Sequence, residues 1–343
     1  MMPSQRILVI RRDNIGDLVC TTPLFAALRR HFPTAHIAAL VNSYNAPVLA
    51  GNPDIDEVCV YRKAKHRAVG ESRLRIWWET WRLMRRLRRE DFDVTIVATP
   101  GRQPAALKFA HWVHAKRVIA YGEAGEGIDD PLPLAQANIG HETEAVMRLL
   151  GPLGITEAPG PLCVVAKRGV TAAVTIPPVL ATAGPLVGLH ISARKPAQRW
   201  PIERFSELAH ALHTGHGARF LLFWSPGDDK HTQHPGDDEK ALRLLALCEE
   251  LPMLACPTNQ LDELIAGLAR CDRVICSDGG AMHLAAGLGK PIVCFFGNSG
   301  AQRWRPWGVP HELLQPESQN VSDVTVPDAL AAYERLESGL AAR

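Results

Sequence analysis

Short apolar runs alternate with helix-period segments from the first residues of this chain, break off once, and then resume. The first series has strands at 7–10, 36–41, 58–61 and 94–98, with a helical segment near 17–31. The second has strands at 186–191, 220–224, 273–276 and 292–296, with helices near 201–214, 237–250 and 260–270 and another from about 280. Strands alternating with helices in this way build a parallel sheet covered by helices on both faces, so the fold class is α/β. Between the series, residues 151–185 are rich in Pro and Gly and have little periodicity, as a segment joining two compact units would. A length of 343 residues, at about 150 per domain, also suits two domains. The expected organisation is a first domain over 1–168, a linker over 169–185, a second domain over 186–326, and a terminal helix over 327–343, opened by Pro327, that packs back on the body.

Composition excludes several classes. The 38 basic and 36 acidic residues leave a net charge of +2, too little to draw a nucleic acid. With 46% hydrophobic and 22% charged residues the chain has the make-up of a globular protein. Its eight cysteines include no C-x-x-C pair and sit mostly in apolar stretches, which reads as buried thiols in a reducing compartment. The opening M-M-P-S-Q-R-I-L-V-I-R-R has an apolar run too short for a secretory signal, so a cytoplasmic location is expected. The uncharged stretch 170–193 is long enough to span a bilayer, but Pro177, Pro178, Gly184 and Pro185 interrupt it, and it reads as linker plus one strand.

The residues able to do chemistry lie on strand-to-helix turns, the edge at which open α/β sheets bind ligands. The first strand runs into R-R-D-N-I-G-D at 11–17, which lacks the G-x-G-x-x-G of dinucleotide sites. G-L-G-K-P at 287–291 has Pro where a P-loop needs Ser or Thr, so P-loop chemistry also loses support. Asp17 falls in a first helical turn, either as a carboxylate held ionised by the helix dipole and able to take a proton, or as a helix cap. In C-S-D-G-G-A-M-H at 276–283, Gly279 and Gly280 open a helix start to phosphate; His283 either donates to a phosphate oxygen or is a core histidine. L-H-I-S-A-R-K-P-A-Q-R-W-P at 189–201 sets Ser192, Arg194, Lys195 and Arg199 on another such turn, suited to a departing diphosphate. The loop W-S-P-G-D-D at 224–229 is a candidate for a ribose contact or a simple turn.

Metal signals are poor. D-I-D at 54–56 and D-F-D at 91–93 precede strands, at the wrong edge for a ligand, and H-T-Q-H at 231–234 reads as a polar loop, so no metal is expected. The helical segment 72–90 places Leu74, Trp77, Trp78, Trp81 and Met84 on one arc, with Arg75, Arg82, Arg86 and Arg89 beside it. That pattern suits an anionic membrane or phosphorylated glycolipid, or else a core-facing tryptophan arc with solvated arginines.

Three stretches taken together, I-L-V-I-R-R-D-N-I-G-D-L-V-C-T-T-P-L-F-A-A-L-R-R-H-F-P, H-I-S-A-R-K-P-A-Q-R-W-P and S-D-G-G-A-M-H-L-A-A-G-L-G-K-P-I-V-C-F-F-G, resemble glycosyltransferase family 9 over nearly the whole chain. These are the heptosyltransferases of bacterial lipopolysaccharide core assembly. The resemblance implies a GT-B fold, two Rossmann-like domains with parallel sheets facing across a cleft, with acceptor mostly on the first and nucleotide sugar on the second, and no metal or other cofactor. It implies Asp17 as catalytic base, Asp278, Gly280 and His283 as donor contacts, and Ser192 near the phosphates, to which Gly279, Lys195 and Arg199 are added from the turn chemistry. Members commonly carry Lys at the start of K-x-W, where this chain has Gln198, so phosphate neutralisation passes to Lys195 or Arg199. The loop after Ser225 is longer than usual, which leaves the ribose-binding acidic residue open.

The expected activity is therefore inverting, metal-independent transfer of heptose from ADP-heptose to an anionic inner-core acceptor of lipopolysaccharide. Its expected place is the inner face of the cytoplasmic membrane, with Asn14, Arg75, Arg82 and Arg86 as acceptor contacts. Competing readings are a family member using another nucleotide sugar, and a non-catalytic module that binds a nucleotide sugar or glycolipid.

Overall fold

The computed structural model divides into two compact units, Met1–Val165 and Ala166–Arg343. It describes residues 5–63, 72–173, 177, 180, 183–228 and 236–342; the H-T-Q-H run at 231–234 and Asp229 lie outside these. The first unit runs β1 (Arg6–Ile10), α1 (Ile15–Val19), α2 (Thr22–His31), β2 (His36–Asn42), β3 (Glu57–Tyr61), α3 (Arg73–Arg89), β4 (Val94–Val97), α4 (Pro104–Val113), β5 (Arg117–Tyr121), β6 (Asp130–Leu132) and α5 (Glu142–Met147). The second runs α6 (Arg168–Ala173), β7 (Leu186–His190), α7 (Ile202–His216), β8 (Arg219–Trp224), α8 (Asp238–Leu247), β9 (Met253–Pro257), α9 (Leu261–Arg270), β10 (Arg273–Ser277), α10 (Gly280–Gly287), β11 (Ile292–Phe295), α11 (Ala301–Trp304), β12 (His311–Leu314) and α12 (Val326–Ala341).

Each unit holds one six-stranded, all-parallel sheet. The orders are β3-β2-β1-β4-β5-β6 and β12-β11-β10-β7-β8-β9. Counted from its own first strand, the second sheet repeats the order of the first. Each chain path grows outward from its first strand, then returns to start on the other side. The carboxyl ends of β1 and β4, and of β7 and β10, are therefore the points where neighbouring connections diverge and a ligand crevice opens.

The central strands are apolar throughout because helices cover both faces: Ile7, Leu8, Val9 and Ile10 have no exposed surface. In the second unit one core joins Val187, Leu189, Phe220, Leu222, Ile275 and Val293 to Leu208 and Leu212 of α7 and to Ala329, Tyr333 and Leu336 of α12. The terminal helix thus packs back on the second unit, against α7, β11 and β12. A Cβ at Gly188 in β7 would lie 3.1 Å from the Phe223 ring and 2.8 Å from the Cys271 sulfur, so a larger residue there would have to displace both buried side chains.

Two expectations change. The single helix near 17–31 is two helices, because Pro23 fits only a first turn and α2 starts afresh at Thr22, while the Thr21 hydroxyl bonds back to the Asp17 carbonyl at 2.8 Å. The units part at Val165 and Ala166, before residue 168, and the stretch expected as linker begins inside α6, which packs on α9. No described helix is long and apolar enough to cross a membrane.

Candidate active site

Arg11, the residue after β1, still donates its backbone N–H to the Leu40 carbonyl at 3.1 Å, so its side chain leaves the sheet at the first divergence point. It is 1% exposed, and a guanidinium so buried persists only where charges meet it. Glu142 Oε1 lies at 2.7 Å, Asp17 Oδ1 at 2.9 Å and Asp13 Oδ2 at 3.2 Å, and the Ala98 carbonyl at the end of β4 accepts a further bond. Thr99 Oγ1 donates to Asp13 at 2.9 Å, and the Asn42 amide holds the Arg12 and Asp13 carbonyls at 3.0 and 3.2 Å. The loop that carries Asp17 is thus fixed from β1, β2 and β4 together.

Asp17 is the helix cap that its position suggested, and its second carboxylate oxygen meets a cation. Its Oδ2 accepts the Asn14 backbone N–H at 3.0 Å, closing the helix start, while Oδ1 faces Arg11. Burial pushes this carboxyl up, but the Arg11 charge and the Asn14 N–H outweigh it and hold it below the ordinary carboxylate value. With α1 only five residues long, the cation is a better cause than the helix dipole that the sequence suggested. The side chain keeps 16% of its surface and lone pairs for a further hydrogen bond. Sequence reasoning missed Arg11 and Glu142. R-R-D was visible, but the partner that buries the arginine lies 131 residues away.

Of the acceptor candidates, Asn14 stands exposed at the head of α1. On α3, Ile76, Met84 and Leu87 face the core, so Met84 does not share the tryptophan arc. Trp77 is 59% and Trp78 50% exposed, beside Leu74, and Trp78 stacks on Trp81 at 4.9 Å. A core-facing tryptophan arc is thereby excluded. Arg75 pairs with Glu79 at 3.0 Å, and Arg82 is exposed with no ion pair among the described residues. Arg86 meets Glu57 at 2.7 Å and Glu90 at 3.8 Å. Glu57 opens β3, and Glu90 pairs with Arg6 at the start of β1, so Arg86 stands at the amino edge, opposite Asp17. It leaves the acceptor set for that reason.

In the second unit, Ser192 lies just beyond β7. Its Oγ accepts the Ser225 N–H at 2.9 Å, which leaves the hydroxyl proton free to donate. Desolvation pushes the His190 imidazole down to about 4 despite Asp237, so it carries no charge at neutral pH. Arg194 and Lys195 are exposed and form no ion pair among the described residues. Arg199 donates to the Ala193 carbonyl at 3.0 Å and lines a cavity of about 380 Å³ with Trp200, Glu203, Asp237, Lys240 and Arg243. That cavity lies at the starts of α7 and α8 and is not lined by Gly279, Gly280 or His283.

Asp278 follows β10. Its N–H donates to the Phe295 carbonyl at 2.9 Å, and its Oδ2 accepts from Gln198 Nε2 at 2.7 Å. Gly279 caps α10, and a Cβ there would meet no atom within 4 Å, so the space over the helix start is open. His283, in the first turn of α10, is 3% exposed, with its ring 6.0 Å from that of Trp304.

The D-x-D pairs serve the amino edges. Asp56 accepts the Ile37 N–H at 2.7 Å and Asp93 the Arg6 N–H at 2.8 Å. Among the described residues, His36, Glu57 and Glu90 could converge on an ion, but they lie at the same amino edge and Arg86 and Arg6 already meet the carboxylates. All eight cysteines are free, and six are buried.

The model of glycosyltransferase family 9 (heptosyltransferase) matches residues 166–333. Lipopolysaccharide heptosyltransferase 2 of Salmonella typhimurium is 27% identical over 313 residues, which cover 86% of this chain and 83% of the relative. Among solved structures, a family 9 glycosyl transferase from Veillonella parvula superposes with a TM-score of 0.81 at 21% identity, covering 99% of each chain. The E. coli ADP-heptose LPS heptosyltransferase II does so with a TM-score of 0.77 at 20% identity, covering 98% of this chain and 99% of that one. These likenesses show the fold, the paired Rossmann-like units of the GT-B class. With the three motifs at the carboxyl edges of the two sheets, the chain belongs to glycosyltransferase family 9 and is a glycosyltransferase.

Proposed function

We propose that this protein transfers heptose from ADP-heptose to an inner-core hydroxyl of lipopolysaccharide, with inversion and without a metal ion, at the inner face of the cytoplasmic membrane. The observation that carries the reading is Asp17, ionised and partly open at the divergence point of the first sheet. The names of the similar proteins, lipopolysaccharide heptosyltransferase 2 and ADP-heptose LPS heptosyltransferase II, support the sugar and the acceptor.

In this reading the acceptor hydroxyl gives its proton to Asp17 as its oxygen forms a bond to the anomeric carbon. The bond from that carbon to the diphosphate breaks on the opposite face, and ADP leaves with the electron pair. A carboxylate held below its ordinary value is a weak base, so the proton moves only as the new C–O bond makes the hydroxyl acidic. The N–H groups at the start of α10, the Ser192 hydroxyl, Lys195 and Arg199 receive the diphosphate, with His283 in the first turn of α10. Gln198 in place of a lysine favours one second reading, a donor other than ADP-heptose.

Thermal melting with ADP, UDP, GDP and their sugars tests the donor. ADP and ADP-heptose are expected to stabilise selectively, by about 2.7 kcal/mol at a hundred times the dissociation constant. Selective stabilisation by UDP or GDP compounds would replace the donor and leave the fold and family untouched.

The membrane reading rests on the exposed Leu74, Trp77 and Trp78 beside Arg75, Arg82 and Arg85. A basic residue at an anionic leaflet contributes about 1 kcal/mol, screened within a Debye length of about 8 to 10 Å. Co-sedimentation with phosphatidylglycerol-containing vesicles is expected to fall with salt, and to fall several-fold when Arg75 and Arg82 both become Gln. Binding unchanged by salt and by these substitutions would remove the membrane from the account.

A further inference from the structure

Gln198 is 6% exposed, and its amide stands where three neighbouring strands end. It closes a short 3-10 turn, Pro196–Gln198, in the connection after β7. Nε2 donates to Asp278 Oδ2 at 2.7 Å, after β10, and to Ser299 Oγ at 3.2 Å, after β11. A carboxylate can only accept, so the amide must turn its NH2 to Asp278, and the orientation of the group is set by chemistry. The position is equally set by packing. A Cβ at Gly297 would enter the Ala197 carbonyl, and two residues further on Trp200 is buried against Phe295 with Nε1 bonded to the Val324 carbonyl at 2.9 Å. Gln315 Nε2 holds the Gly297 carbonyl at 2.8 Å from the other side.

Once these bonds are counted, the amide has spent both its donors, and the cluster keeps one more in the Ser299 hydroxyl proton. Among the described residues no donor reaches Asp278 Oδ1 or Gln198 Oε1. Two open acceptors, one of them a carboxylate oxygen, match a moiety that offers hydroxyl protons better than they match a phosphate, which offers only oxygens. A cation in place of the amide would draw the carboxylate to itself; the neutral amide orients Asp278 and leaves its charge for the ligand.

We propose that Gln198 is a specificity-determining residue that fixes Asp278 as the acceptor of hydroxyls from the donor sugar, so that the Gln198–Asp278–Ser299 cluster reads the sugar and the open start of α10 receives the phosphates. This rests on the nucleotide-sugar reading above, though not on which nucleotide or sugar it is. The cluster contributes to binding only when a sugar is attached, so it sets the ratio between the affinities for a nucleotide sugar and for its bare nucleotide.

The test is calorimetric titration of the whole chain with the best nucleotide from the thermal panel and with its sugar, for the wild type, Gln198→Leu and Gln198→Lys, each checked for a cooperative melt. Gln198→Leu is expected to bind the bare nucleotide within about threefold of wild type and the nucleotide sugar about tenfold or more weakly, the worth of a hydrogen bond to a charged group. Gln198→Lys, which keeps the site filled and pairs with Asp278, is expected to hold or raise nucleotide affinity while still losing the sugar increment. Equal losses for nucleotide and nucleotide sugar in either folded variant, or no loss in both, would overturn the assignment. If the wild type prefers a nucleotide other than ADP, only the donor proposed above fails, because the same ratio is then read on that pair. If it binds no sugar nucleotide more tightly than the nucleotide, both fail.

Discussion

Asp17→Asn is expected to fold, to bind the donor as the wild type does, and to lose about 10²- to 10⁴-fold in kcat, the usual worth of a general base. The amide oxygen can still face Arg11, but its NH2 then confronts the Asn14 N–H that Oδ2 accepts at 3.0 Å. A modest fall in melting temperature should therefore accompany the kinetic loss, since losing such a cap costs about 0.5 to 2 kcal/mol. Steady-state kinetics beside calorimetric donor affinity separate the two effects. Turnover near that of the wild type would make Asp17 a helix cap only.

The pH dependence follows with a definite sign. Because Arg11 and the Asn14 N–H hold the Asp17 carboxyl below its ordinary value, the charged form is favoured in the folded protein. Its contribution to stability is fully present above the unfolded value of about 3.9 and is lost as pH falls from there through the lower folded value. The acid limb of kcat/KM for the free enzyme should lie in that same low range. A limb at about 6 would mean that some other group takes the proton.

Arg11→Met is expected to cost about 3 to 5 kcal/mol, because it leaves Asp13, Asp17 and Glu142 facing one another without their cation, and Glu142 is only 2% exposed. For a unit of this size that is a fall in melting temperature on the order of 10 °C. Pairing it with Glu142→Gln should recover part of the loss, since the two residues share one interaction and their effects cannot add. A loss under about 1 kcal/mol would show that water reaches the cluster and that Arg11 does not hold the base.

How far the sequence could take this account depends on how local each feature is. The strand at 7–10 announces itself because all four of its apolar residues are buried, and the T-T-P at 21–23 carried the break between α1 and α2 in plain view. The strands that escaped notice include the outer ones: β6 is D-P-L with Pro131 in it, β9 ends on Pro257, and β12 is H-E-L-L. An edge strand packs on fewer neighbours and tolerates proline and charge, so little of its sequence is apolar.

The motifs at Asp17 and Asp278 were legible, but the reason they matter, the divergence of connections at β1/β4 and β7/β10, is a property of strand order that no local pattern encodes. The same limit hid the Arg11–Glu142 pair and the bond from Gln198 to Asp278, 80 residues apart. Arg86 was misassigned because helical spacing groups residues along a face without saying which end of the helix meets which edge of the sheet.

The most direct test of the account is transfer itself. The protein is incubated in EDTA with ADP-heptose and heptose-deficient lipopolysaccharide core, ADP release is counted against product by mass spectrometry, and the new anomeric centre is assigned by NMR. The account predicts one heptosyl unit attached for each ADP released, an anomeric configuration opposite to that of the donor, and near-complete loss with Asp17→Asn. Retention of configuration, activity that returns only when a divalent cation is added back, or ADP release with no glycoside formed would contradict it.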